Sequence, residues 1–226
     1  MEANAPIWDQ QRAKCAQRRV VWFTWPAVVL PFVGQLRGFE KIARDRRYLF
    51  AANHVSLLDA IALCSILTRS GHGPVLTLAD KGVWNTSAVR RWLSREFGFL
   101  VERGKINPTR IRELQAYGAA AKDYHLLVFP EGTRGNGVDV AECQPGIFYI
   151  AQAARVPIIP VFLENMQLVS TKGGKFHPIG GWRKVVIHFG DAIAPDNYSQ
   201  IPREDFGEFI RRKIIAVRDN IPTAKG

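Results

Sequence analysis

Tyr48-Leu49-Phe50-Ala51-Ala52-Asn53-His54-Val55-Ser56-Leu57-Leu58-Asp59 is the stretch from which the fold is read. The apolar run Tyr48–Ala52 has the composition of a buried strand, and it gives way at Asn53 to polar residues. Ser56 followed three residues later by Asp59 is a capping-box pattern, so a helix is expected to start there and lead into Ala60-Ile61-Ala62-Leu63. A strand, a polar turn and a helix in this order form the repeating unit of a layered α/β domain.

The alternation continues downstream. Val75-Leu78, Phe99-Val101, Leu126-Phe129, Ile158-Leu163 and Val185-Phe189 read as further buried strands, with helical stretches between most of them. Asn107-Pro108 supplies an N-cap and a first-turn proline, and Ile111, Leu114, Tyr117 and Ala121 then share one helical face. Another helix starts near Pro202. Its Phe206, Phe209, Ile210, Ile214 and Val217 form an apolar stripe beside Arg211, Arg212 and Lys213, read as core-facing. The expected architecture is one α/β domain, residues 48–226, with a central mixed, largely parallel sheet flanked by helices. Residues 1–47 are expected to form an N-terminal basic and apolar membrane-associating segment.

Within that segment, Val20 to Leu36 runs seventeen residues without a charge, between Arg18-Arg19 and Arg37. A straight transmembrane helix needs about 20 apolar residues. Pro26 and Pro31 each remove a backbone donor, which favours a broken helix or a shallow, re-entrant anchor over a single span, with a buried core helix as the competing reading. Glu2 and Asp9 argue against a cleaved signal peptide.

The 226 residues, 47% of them hydrophobic, are enough for one sizeable core, and the formal charge of +11 calls for an anionic partner. Six tryptophans beside many cations fit a membrane surface. No zinc finger, RNA-recognition signature or evident basic recognition helix is present, which ranks a nucleic-acid binder below a membrane-surface protein. Cys15, Cys64 and Cys143 are too dispersed for a disulfide framework, the histidines show no ligand spacing with them, and no metal is expected.

His54 and Asp59 are the candidate chemical pair. Imidazole has the one ordinary side-chain pKa near neutrality, and a carboxylate on its other nitrogen fixes the tautomer. Five residues along a continuous helix would separate the two by about 140°, so the pair requires His54 to precede the helix that Asp59 enters. The competing reading makes Asp59 a helix cap and His54 a polar residue at a strand end. No Gly-x-Ser-x-Gly elbow is present, so an acyl-enzyme on serine is not expected.

Four ordered blocks resemble the glycerolipid acyltransferases typified by the 1-acylglycerol-3-phosphate (lysophosphatidate) acyltransferases. They are Asn53 to Asp59, containing His-x-x-x-x-Asp; Gly98-Phe99-Leu100-Val101-Glu102-Arg103; Phe129-Pro130-Glu131-Gly132-Thr133-Arg134; and Val156-Pro157-Ile158-Ile159-Pro160-Val161. The resemblance covers about Tyr48 to Leu163 and implies an α/β enzyme that moves a fatty acyl group from acyl-CoA or acyl-carrier protein to a lysophospholipid hydroxyl. It implies His54 as base, Asp59 as its partner, and Arg103, Glu131, Gly132, Thr133 and Arg134 as substrate-binding residues. No cofactor beyond the thioester co-substrate is implied. The expected location is the cytoplasmic face of the inner or plasma membrane, on an anionic surface. Many relatives carry lysine before a glycine downstream of the third block, where this chain reads Cys143-Gln144-Pro145-Gly146, which keeps open an acceptor with another headgroup, such as lyso-ornithine lipid; a non-enzymatic basic membrane-binding module is the alternative from another class.

Overall fold

The computed structural model of the chain describes residues 10–56, 58–80, 88, 91, 92, 97–101, 108–120, 124–170, 177 and 179–220. Among them run seven strands: β1 (Val33–Arg37), β2 (Leu49–Ala52), β3 (Val75–Asp80), β4 (Gly98–Val101), β5 (His125–Val128), β6 (Ile158–Glu164) and β7 (Val185–Phe189). They form one sheet in the order β1-β7-β6-β2-β5-β3-β4. Every neighbouring pair is parallel except β6 and β7. The expected mixed, largely parallel sheet is therefore present, with β2 at its centre.

The continuous apolar runs follow from burial on both faces. Leu49 and Ala51 face one core layer with Leu126, Val128, Ile158 and Phe162. Phe50 and Ala52 face the other with Leu127, Ile159, Val161 and Leu163. Two-residue alternation thus splits each strand between two cores. Helix α3 (Leu58–Arg69) covers the second face through Ala62, Leu63, Ile66 and Leu67. The first is covered by α4 (Pro108–Ala120), α5 (Gly146–Ala154), α6 (Pro195–Tyr198) and α7 (Arg203–Asp219). Phe206, Ile210 and Ile214 of α7 are fully buried, as its apolar stripe predicts.

The N-terminal segment departs from a simple anchor. Helix α1 (Gln10–Thr24) passes into a π-helical turn, Trp25–Val29, containing Pro26, then the single turn α2 (Leu30–Phe32) containing Pro31, and then β1. The two prolines interrupt the helix where expected. The uncharged run nevertheless ends inside the domain: Val29, Phe32 and Val33 are core residues, and β1 pairs with β7. The sheet thus takes its edge strand from upstream of residue 48. None of the described helices is long and apolar enough to cross a membrane.

Helix α1 is docked by the side-chain amide of Gln17. Its Nε2 donates to the Val75 carbonyl at 2.8 Å, and its Oε1 accepts from the Val75 N–H at 2.9 Å, so a side chain stands in for a strand neighbour at the start of β3. At the other end of the segment, Gly34 marks a register irregularity between β1 and β7. A Cβ there would lie 2.2 Å from the Arg183 carbonyl oxygen. Gly34→Ala must push backbone from backbone, an overpacking cost of roughly 1–3 kcal/mol. Thermal unfolding is expected to shift down by several degrees for a chain of this size. A melting temperature within a degree of wild type would show that this approach is not tight.

Candidate active site

The parallel arrangement of β2 with β5 and β6 brings three strand ends to one edge of the sheet. Ligand-contacting loops collect at such carboxyl ends. Asn53 continues β2 in the manner of a strand: its N–H reaches the Val161 carbonyl, its Oδ1 accepts from the Leu163 N–H at 2.7 Å, and its Nδ2 donates to the Leu163 carbonyl. His54 is thereby delivered to a fixed point beyond the sheet and before α3.

The helix start supplies its partner. Asp59 is fully buried, and its Oδ2 accepts from three donors: His54 Nδ1 at 2.9 Å, the Val55 N–H at 2.6 Å and the Ser56 N–H at 2.8 Å. Ser56 Oγ accepts from the Leu58 N–H at 3.1 Å. The helix-cap and chemical-pair readings of Asp59 are thus satisfied together, because the carboxylate that reaches back to the cap also meets the imidazole. Asp59 Oδ1 is buried without a partner. With Nδ1–H held by the carboxylate, Nε2 is left as the acceptor of the neutral ring. The imidazole side chain is 19% exposed and stacks on Phe129, centroids 4.3 Å apart at 25°.

The loop after β5 holds the backbone of His54 from both sides. Glu131 Oε1 accepts from the His54 N–H at 2.7 Å, and the Gly135 N–H donates to the His54 carbonyl at 2.7 Å. Glu131 Oε2 accepts from the Ala141 N–H at 3.0 Å. The carboxylate is 2% exposed and engaged through both oxygens, so it does not face solvent as the headgroup-binding expectation requires. Sequence reading missed this because an acid in a Gly-rich turn looks like a surface ligand. Gly132 takes a left-handed φ of 64°, and a Cβ at Gly135 would lie 3.2 Å from Glu131 Oε2. The Gly132-x-x-Gly135 spacing was the available signal for this tight turn.

The other expected site residues are placed unevenly. Thr133 is exposed and Arg134 half-buried on the same loop. The Gly132 N–H is spent on the Phe129 carbonyl, whereas the amides of Thr133 and Arg134 donate to no described residue. The Arg134 guanidinium likewise has no ion pair among the described residues. Arg103 lies outside the described residues. In the Cys143-Gln144-Pro145-Gly146 departure, Cys143 is buried and its thiol is pushed up to about 12 by that burial, so it is not a nucleophile. Gln144 instead braces the turn, its N–H on the Pro130 carbonyl at 2.7 Å. No group of three or more potential metal ligands occurs among the described residues.

Burial pushes the Glu131 carboxyl above its ordinary range, and the two amides partly offset this. For an acid shifted upward, the stability it contributes is complete below its ordinary 4.5 and is lost as pH rises through the folded value. Glu131→Gln presents one oxygen and one NH₂ to two N–H donors. Exchange of the His54 or Ala141 amide is therefore expected to accelerate roughly ten- to hundredfold, the equivalent of ~1.5–3 kcal/mol for a hydrogen bond to a charged group. Unchanged protection of both amides in hydrogen-exchange measurements would contradict the clamp.

A family model described as Acyltransferase matches residues 35–164, more than half of the 226-residue chain. Human 1-acyl-sn-glycerol-3-phosphate acyltransferase alpha is 26% identical over 135 residues, covering 59% of this chain and 46% of that protein. The probable 1-acyl-sn-glycerol-3-phosphate acyltransferase of Mycoplasma genitalium is 26% identical over 176 residues, covering 76% and 66%. The chain spans about half the length of the mammalian relatives it matches. Its fold resembles the crystal structure of the 1-acyl-sn-glycerophosphate (LPA) acyltransferase PlsC from Thermotoga maritima, with a TM-score of 0.66 and 21% identity, covering 95% of this chain and 85% of that one. The family match runs from β1 to the end of β6 and encloses both the His54–Asp59 pair and the loop that clamps it: the chain belongs to the acyltransferase family.

Proposed function

We propose that the chain transfers a fatty acyl group from an acyl thioester, carried by coenzyme A or acyl-carrier protein, to the free hydroxyl of 1-acylglycerol-3-phosphate, giving phosphatidate for phospholipid biosynthesis. The observation that carries this reading is the His54–Asp59 pair, held at 2.9 Å with Nε2 left as the accepting nitrogen. The acceptor hydroxyl gives its proton to Nε2 as its oxygen bonds to the thioester carbonyl carbon. Asp59 stabilises the imidazolium so formed. Collapse of the tetrahedral intermediate breaks the carbon–sulfur bond, and the departing thiolate takes the proton back from His54. No covalent enzyme intermediate arises.

Unspent amides at Thr133 and Arg134 are the donors available to the developing oxyanion, and such donors contribute ~3 kcal/mol each. The guanidinium of Arg134, without an ion-pair partner among the described residues, suits a phosphate headgroup. Arg103 is assigned to the same headgroup on its motif alone. Glu131, Gly132 and Gly135 position His54.

We assign the substrate side to a membrane surface at the cytoplasmic face. Trp22 is 70% exposed, next to exposed Phe23, and Trp182 is 60% exposed. The Trp182 segment is tied to the end of the N-terminal segment, because Arg183 donates from its N–H to the Pro31 carbonyl and from Nη1 to the Leu30 carbonyl. Exposed aromatics backed by cations favour a headgroup layer.

The test is purified protein with a panel of lysolipids and both thioester donors, with products read by mass spectrometry. Acylation of lysophosphatidate in preference to a neutral or ornithine-bearing lysolipid is expected, and no acylated product from any pair would overturn the reading. In the same assay, His54→Ala should lose at least ~10²–10⁴-fold in turnover. Asp59→Asn retains an oxygen for the Val55 and Ser56 amides but no charge, so it should cost ~1–2 kcal/mol of stability while losing most turnover. A folded Asp59→Asn protein with near-normal turnover would leave Asp59 a cap and nothing more.

A further inference from the structure

At the opposite end of the sheet from His54, the loops that enter β2 and β3, the end of α3 and the side of α1 line an open cavity of about 220 Å³, far more than the ~30 Å³ share of one water. Its walls carry four cations. Lys14 and Arg18 lie one turn apart on the same face of α1, and Arg44 and Arg46 come from the loop that enters β2. The rest of the wall is Thr68 with the turn Gly71-His72-Gly73-Pro74. Both glycines have left-handed φ values, 83° and 96°.

Among the described residues no carboxylate lines this space, and Arg18, Arg44 and Arg46 make no ion pair. His72 is engaged at both ring nitrogens, with the Ile42 carbonyl and Ser70 Oγ, and serves as fixed wall. Thr68 Oγ1 is buried with no hydrogen-bond partner. A cleft lined by one sign of charge concentrates counter-ions, and guanidinium forks match phosphate geometry. Arg18 stands one turn of α1, about 6 Å, from the exposed Trp22.

We propose that this cavity is a second anion site, built for a phosphate group and separate from the acyl-transfer centre. The charge of Arg18, Arg44 and Arg46, unpaired among the described residues, and the unsatisfied Thr68 hydroxyl are both answered by phosphate oxygens. The length of β2, roughly 13 Å by strand rise, separates it from His54, so its occupant is not the acceptor undergoing reaction. Its place beside Trp22 fits the headgroup phosphate of an anionic lipid, and a soluble phosphate has the same recognition chemistry.

The test uses the full chain as wild type, as Arg18→Gln/Arg44→Gln, and as the control pair Arg212→Gln/Lys213→Gln, which removes equal charge from exposed positions on α7. Inorganic phosphate is titrated calorimetrically at constant ionic strength. In parallel, sedimentation is measured with phosphatidylcholine vesicles, with and without phosphatidylglycerol. The pocket pair is expected to weaken binding at least about tenfold in one arm, with the control pair near wild type. Loss with inorganic phosphate identifies a soluble ligand, loss confined to phosphatidylglycerol vesicles identifies a headgroup, and loss in both assigns the phosphate group itself. No loss in either arm, or equal loss in the control pair, overturns the site. Should the pocket pair fail to fold, Arg46→Gln alone, on an exposed loop, is carried through the same two arms and judged the same way.

Discussion

One carboxylate oxygen organises the site. Asp59 Oδ2 takes hydrogen bonds from the His54 ring and from two successive backbone amides, all within 2.9 Å, in a fully buried position. The arrangement ties three things that must agree: the end of β2, the first turn of α3 and the orientation of the imidazole. A buried carboxylate with good donors is tolerated where an isolated one is not, so the helix start stabilises the charge that the imidazole needs. The unsatisfied Oδ1 is the remaining cost of that position.

The second constraint comes from the sheet. Because β2 and β5 are parallel neighbours, the loops leaving them emerge side by side, and Glu131 and Gly135 close on the two backbone groups of His54. Rigid strands set the position and short loops set the angle, the combination that holds reacting groups to tight geometry. The Gly132 and Gly135 amides are used within the protein, and those of Thr133 and Arg134 donate to no described residue.

Much of this was legible in local pattern. Six strands, the capped start of α3 and the core-facing stripe of α7 were readable because strand composition, cap chemistry and helical periodicity are properties of neighbouring residues. β1 was not, since Val33–Arg37 belongs to an uncharged run whose pairing with β7 is decided by residues about 150 positions away. Gln17, and the ladder role of Asn53, were missed for the same reason: each completes a strand ladder with its side chain, against a partner remote in sequence. Glu131 was recognised as a site residue, yet its inward direction depends on β2 and β5 being neighbours. His54 and Asp59 were identified together, but that one oxygen would serve both cap and ring was visible only once the turn between them was built.

The tautomer of His54 tests the central claim most directly. Proton-coupled nitrogen NMR on histidine-labelled protein, with the His54 signals assigned by their loss in His54→Ala, reads which ring nitrogen carries the proton at a pH well above the ordinary imidazole range of about 6.5. The Asp59 contact predicts a protonated Nδ1 and a bare Nε2. A protonated Nε2 with a bare Nδ1 would contradict it, because Nδ1 would then have no hydrogen to give Asp59 and Nε2 no lone pair to offer an acceptor hydroxyl.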